Sequence, residues 1–210
     1  MSVDPVVEDI LTVAVNEFAE HGFAGARVDA IAARMRTSKR MLYYHFGSKE
    51  SLYAAALAHA YQRVRESHEQ PDFGRMTPAQ ALRSYVGHAF DVHLGNPAFV
   101  RLVMGENLMG GRFVRGSDVA QQVNRQGLEQ LRCILERGQH EGTMRGDVQA
   151  LDVYANIVGL SFQFVSNRST FSAIFEQDLD AEAVAAARRM AIIDTIERQV
   201  SACVNPIVSS

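Results

Sequence analysis

Apolar residues recur along this chain at spacings of three and four almost from end to end, and no stretch sustains an alternation of period two. A helix brings residues i, i+3, i+4 and i+7 onto one face, whereas a half-buried strand needs every second residue apolar, so the pattern predicts an all-α fold. The first helix runs from Pro5 to about His21, with Ile10, Leu11, Ala14, Val15 and Phe18 on one stripe. Gly22 follows where a left-handed end residue belongs. Val28, Ile31, Ala32 and Met35 mark a second helix of about two turns. A break at Arg36 and Thr37, with Thr37 or Ser38 as N-cap, precedes a third segment from Ser38 to Phe46, and Ser48 caps a fourth from Lys49 to about Glu66. Beyond a linker at 67–76, five longer helices are expected at 77–94, 97–109, 117–141, 147–175 and 179–204, the last ended by Asn205-Pro206.

A chain of 210 residues, 47% of them apolar and 21% charged, can bury its own core without covalent or metal staples. Its two cysteines, Cys133 and Cys203, are too few for a secreted disulfide framework and read as small buried hydrophobes in helical stripes. No charged start with an apolar run and a cleavage site opens the sequence, and no window approaches the ~20 apolar residues of a membrane span. The expected location is the cytoplasm.

A net charge of -3 argues against a nucleic-acid partner until its distribution is considered. Residues 27–49 hold Arg27, Arg34, Arg36, Lys39, Arg40 and Lys49 against the single acid Asp29, a local charge of +5, and both lysines of the chain lie there. The remainder carries 15 basic and 23 acidic residues, so a small cationic patch rides on an anionic body that phosphate would repel. Within the third segment, Leu42 and Phe46 share one face while Arg40 and Tyr44 point to the other, with Met41 and Tyr43 on the flanks. Two short helices joined by a turn, the second presenting Ser38, Lys39, Arg40, Met41, Tyr43, Tyr44 and His45, match the helix-turn-helix plan for the major groove of double-stranded DNA. The Ser38 hydroxyl and the helix N-terminus suit phosphate oxygens, Lys39 and Lys49 supply point charges, and the tyrosines can bond phosphate while packing on sugar or a thymine methyl. Arg40 is the candidate base reader, since its fork can contact a guanine edge at two atoms for ~1–3 kcal/mol of discrimination.

The stretch ARVDAIAARMRTSKRMLYYHFGSKESLY, residues 26–53, closely resembles the DNA-binding segment of TetR-type transcriptional regulators. Phe18, Gly22, Phe23, Val28, Ile31, Ala32, Ser38, Leu42, Tyr43, Phe46, Ser48, Lys49 and Leu52 all fall in that family's register. The departures are Arg36 for the usual turn glycine, Arg27 for the usual threonine before Val28, and Arg40 where a small residue is common. Arg27 then offers phosphate a charged contact in place of a hydroxyl. The resemblance implies a homodimer with a DNA-binding domain at 4–64 and an effector-binding and dimerisation domain at 65–210, joined across the dimer through the last two long helices. It also implies a repressor released from a palindromic operator by a small-molecule effector.

The body is less explicit. Apolar stripes along the last two helices can pair inside one subunit or meet their copies across a two-fold axis; Tyr154, Val158, Phe162, Met190, Ile193, Ile196 and Val200 are the candidate dimer residues. An effector cavity would be apolar with a few fixed polar groups, for which Tyr85, His88, Arg101, Met104, Asn156, Phe162 and Gln163 are candidates, with Phe113 among further apolar lining residues. His88 and His93 are five apart and diverge on a helix, a poor metal pair, so no metal and no cofactor is expected. The alternative is a helical enzyme or a protein-interaction adaptor with an incidental basic patch. Against the enzyme, Gly105 to Gly110 has phosphate-loop spacing but continues as Gly111-Arg112, and Gly159-Leu160-Ser161-Phe162-Gln163 lacks the second glycine of a nucleophile elbow.

Overall fold

The computed structural model describes residues 5–36, 38–66 and 71–202. Among these are nine α-helices: α1 (Pro5–Gly25), α2 (Val28–Arg34), α3 (Lys39–Phe46), α4 (Lys49–Glu66), α5 (Pro78–Gly95), α6 (Pro97–Leu108), α7 (Asp118–His140), α8 (Ala150–Phe175) and α9 (Glu182–Val200). Two 3₁₀ turns, Phe73–Arg75 and Val114–Gly116, lie in the connections. Gly22 has the positive φ anticipated for it, 67°, but with ψ 173° it makes a kink in place of a left-handed helix end, and a last helical turn follows it to Gly25.

The C-terminal end differs from expectation. Helix α9 stops at Val200, and Ser201 turns extended (φ -59°, ψ 132°) to pair with Met144. Arg145 N–H donates to the Val200 carbonyl at 2.9 Å and Ala202 N–H to that of Thr143 at 3.2 Å, so the Val200 carbonyl and the Ala202 N–H are both met by the turn after α7 instead of by a further helical turn. Cys203, Asn205 and Pro206 lie outside the described residues, as does Thr37.

The chain forms two compact units, one of Met1–His68 with Gly95–Asn124 and one of Glu69–Leu94 with Arg125–Ser210. The single cut placed at 64/65 by sequence therefore meets a different grouping, because α1 lies against α6 as well as α4. Val100 and Leu102 of α6 are buried with Ile10, Ala14 and Phe18 of α1 and Leu52, Ala56 and Leu57 of α4. A core of that kind requires all three helices, since an amphipathic helix takes most of its stability from packing its apolar face against its neighbours.

In the second unit α8 packs on α9, burying Val153, Ile157 and Val165 on one helix and Ile192, Ile193, Ile196 and Val200 on the other. Arg189 of α9 bonds Asp91 of α5 through both carboxylate oxygens at 2.9–3.1 Å, and its guanidinium occupies the space a Cβ at Gly87 would need. Arg83 of α5 pairs in turn with Glu197 of α9. Arg137 of α7 donates to the carbonyls of Phe73 and Met76, closing the 3₁₀ turn onto that helix.

Candidate nucleic-acid interface

Helix α2 begins without a side-chain cap at Arg27. Glu17 of α1, only 2% exposed, supplies the missing acceptor: its Oε1 takes the Arg27 N–H at 3.0 Å, while Oε2 lies 3.5 Å from Arg34 and 3.8 Å from His21. A charge so deeply buried is tolerable only when it is paired and hydrogen-bonded, so α1 and α2 are locked at a set distance. After Met35 the chain turns through Arg36 at φ 52°. The turn is left-handed without a glycine, and the arginine bears its steric cost.

Helix α3 then starts at Ser38, whose hydroxyl accepts the Met41 N–H at 3.2 Å, and ends at Gly47 with φ 74°. Leu42 is its anchor at 1% exposure, and Phe46 is half-buried. Lys39, Arg40, Met41, Tyr43, Tyr44 and His45 are all exposed, Tyr44 to 80%. Ser48 Oγ accepts the Ser51 N–H at 3.0 Å and so caps α4 as anticipated.

The cations of the patch sort into two groups. Lys39 is paired with Asp29 at 3.0 Å, Arg34 with Glu17, and Lys49 donates to the Ala24 carbonyl at 3.3 Å while lying 5.2 Å over the Phe23 ring. The side chains of Arg27, Arg36 and Arg40 make no hydrogen bond or ion pair with any described residue, and all three are exposed. Three guanidinium groups with unspent donors beside a helix N-terminus can bind phosphate and a base edge with no intramolecular pair to break. Arg36 is a turn residue outside the contacts the sequence suggests, and its exposed position between Arg34 and Ser38 makes it a further candidate.

Comparison with known proteins gives the same answer. Residues 10–56 match the family described as bacterial regulatory proteins, tetR family, and residues 78–196 match the tetracyclin repressor-like C-terminal domain. The HTH-type transcriptional repressor NicS of Pseudomonas putida is 34% identical over 176 residues, 84% of this chain and 83% of that protein. The chain belongs to the TetR family. It is a DNA-binding transcriptional regulator, and the enzyme alternative falls with that assignment. HTH-type transcriptional repressor SCO4008 of Streptomyces coelicolor is 32% identical over about half of each chain. In fold, a tetR-family regulatory protein from Rhodococcus RHA1 superposes with a TM-score of 0.74 at 18% identity, over 95% of this chain and 99% of that one. Among the described residues no helix is long and apolar enough to cross a membrane.

Several body residues of this TetR-family chain lie elsewhere than the sequence suggested. Ile193, Ile196 and Val200, offered as dimer contacts, are buried in the chain's own core at 2%, 0% and 1% exposure, because α9 turns that stripe inward. Met190 is exposed, Tyr154, Val158 and Phe162 are half-buried, and Leu151, Phe171, Ile174 and Phe175 on α8 add exposed apolar area that the candidate set lacked. The seven effector candidates are divided between the two units. Tyr85 is buried and donates its hydroxyl to the Gly127 carbonyl at 2.8 Å, with burial and then Tyr154 holding its phenol well above the usual range. Phe162 stands edge-on to buried His93 at 6.1 Å, and Asn156 donates to Gln199 on the surface at 3.1 Å. His88 is half-buried on α5, and Arg101 and Met104 are exposed on α6 in the other unit.

Gln163 lines a cleft of ≈ 400 Å³ bounded also by Phe164, Phe171, Leu179, Val184 and Arg188. Phe113, read as a cavity residue, belongs to a packed aromatic cluster of the first unit. Cys133 is exposed, not buried: it sits one residue off the inward stripe of Leu131, Ile134 and Leu135, and it lines a cleft of ≈ 660 Å³ beside Phe73 and Arg137.

Proposed function

We propose that this regulator is a homodimeric repressor that reads a palindromic operator with α3 and leaves it when a small molecule binds the second unit. The observation that carries the reading is the outward face of α3, where Arg40 and Tyr44 stand exposed above a buried Leu42. One eight-residue helix contacts too few base pairs for useful specificity, so two copies about one DNA turn apart, ~34 Å, would address a two-fold site. The exposed apolar residues of α8 and α9, Leu151, Ile174, Phe175 and Met190, favour a second copy of the chain as what covers them. A protein 34% identical over most of both chains is named a repressor, which favours repression over activation here.

In this reading Arg40 contacts a base, Ser38, Lys39, Tyr43 and Tyr44 contact phosphate or sugar, Met41 and His45 flank them, and Arg27, Arg36 and Lys49 bind backbone charge. The effector enters a cleft of the second unit, for which the ≈ 660 Å³ space along α7, with Phe73 and Ile134 as its apolar walls and Gln126 and Gln130 as polar groups, has suitable chemistry. A hundredfold loss of operator affinity needs ~2.7 kcal/mol of coupling, which the effector must supply by binding the released state better. Selection of bound fragments from a random duplex pool tests the reading: a two-fold sequence with one preferred spacing is expected, and an asymmetric site or no enrichment would sink it. Sedimentation of the protein at micromolar concentration should give the mass of a dimer.

A further inference from the structure

Glu106 lies on α6 at 1% exposure, in a helix whose other inward residues are apolar. Its Oε2 accepts two backbone N–H groups, Phe113 at 3.0 Å and Val114 at 2.9 Å, and its Oε1 is buried with no hydrogen-bond partner among the described residues. The chain returns to the carboxylate through Gly110 and Gly111 at φ 67° and 70°, a path that residues with side chains rarely follow. The result is that Phe113 is delivered into a ring cluster, 4.8 Å from Tyr53 of α4 and 5.3 Å from Phe23 at the end of α1, with Phe18 4.9 Å from Tyr53 on the far side.

Phe23 is also the ring beneath Lys49, the residue that opens α4 immediately after the cap of α3. Contacts therefore run from Glu106 through Phe113 and Phe23 to Lys49 at the start of α4, three residues past the end of α3, all inside the first unit. A buried carboxylate with one oxygen unpaired is an expensive way to close a turn that a neutral side chain would close. The shared acceptor ties the two N–H groups together, since an oxygen that holds both cannot release one cheaply while buried.

We propose that Glu106 and Phe113 are positioning residues for DNA reading, a latch that fixes the attitude of α3 by packing the Phe113 ring onto the Phe23–Tyr53 pair that joins α1 to α4. This rests on the operator-binding reading above. With the latch closed, α3 is presented at one angle and one half-site spacing is preferred; with it open, α3 keeps its charges and its phosphate contacts but loses that angle. Release of the 110–116 turn is then the local event through which the head is loosened from DNA.

The test uses the full-length protein, the duplex selected from the random pool, the same duplex with its spacer lengthened by two base pairs, and a random duplex. Glu106→Ala and Phe113→Ala are expected to bind random duplex as the wild type does, to lose about tenfold of the selected-over-random ratio, and to tolerate the longer spacer. Glu106→Gln, which keeps an acceptor oxygen for both N–H groups, is expected to restore the wild-type ratio and spacer preference. A folded Glu106→Ala or Phe113→Ala protein with unchanged ratio and spacer preference overturns the latch. If Glu106→Ala does not fold, Phe113→Leu carries the same comparison, and failure of both to fold overturns the proposal by making the pair ordinary core. Wild-type protein that enriches no duplex sinks the operator reading, a result distinct from any of these.

Discussion

Helices α3 and α9 are both amphipathic, and the structure uses them in opposite ways. Of the eight residues of α3 one is fully buried, and the polar and aromatic face is left open. In α9 five residues are buried, and three of them, Ile193, Ile196 and Val200, are the ones an apolar seam would offer to a partner. A stripe of apolar residues says that a face will be covered; it does not say by which chain. On α3 the question does not arise, because Leu42 is a single anchor and, Met41 apart, everything around it is charged, polar or aromatic.

The largest effect that would sharpen this contrast is at α9. Ile196→Ala should cost ~3 kcal/mol by leaving a cavity in a closed core, and the loss in chemical denaturation should be the same at all protein concentrations. A loss that grows on dilution would return Ile196 to an interface. Arg40→Ala should leave the denaturation midpoint unmoved but weaken the selected duplex by ~1–3 kcal/mol while sparing random duplex. Equal weakening of both would make Arg40 a backbone contact and erase the distinction between reader and anchor.

Arg36→Gly tests a smaller term of both signs. Relief of the φ 52° conformation should raise stability by about 1 kcal/mol, while loss of the cation should lower affinity for all duplexes and reduce the salt slope by about one unit. An unchanged salt slope removes Arg36 from the interface.

The smallest expected effect is on pH dependence in the second unit. Burial, opposed by the bond to the Ala89 carbonyl, lowers the His93 pKa below its ordinary 6.5. The unfolded chain then takes up the proton first, so the stability that neutral His93 contributes is complete above about pH 6.5 and is lost as the pH falls toward the folded value. His93→Gln should flatten the midpoint-against-pH curve in that window, and an unaltered curve would assign the acid limb to other groups.

The head was legible because its signals are local. Gly22, Ser38, Gly47 and Ser48 act on residues within a few positions, and Val28, Ile31, Ala32 and Leu42 declare a buried face by spacing alone. Glu17 and Glu106 were not legible: an acid in an apolar helix reads as surface, and only the arrival of the Arg27, Phe113 and Val114 N–H groups from other segments makes their burial tolerable. The surroundings of the effector candidates were not legible for a related reason. Residue type marks which side chains suit a cavity, whereas whether Tyr85 faces a cavity or the Gly127 carbonyl depends on where α7 lies.

Sequence by itself determined the helices, their caps and the outward face of α3, since each is decided by contacts within about one or two turns of chain. Tertiary structure alone decided that α6 joins the reading head, that the α9 stripe closes inward, and that two buried carboxylates take up backbone donors. Those outcomes depend on which surfaces meet across long loops, where the free energies of several packings differ by less than any single residue reveals.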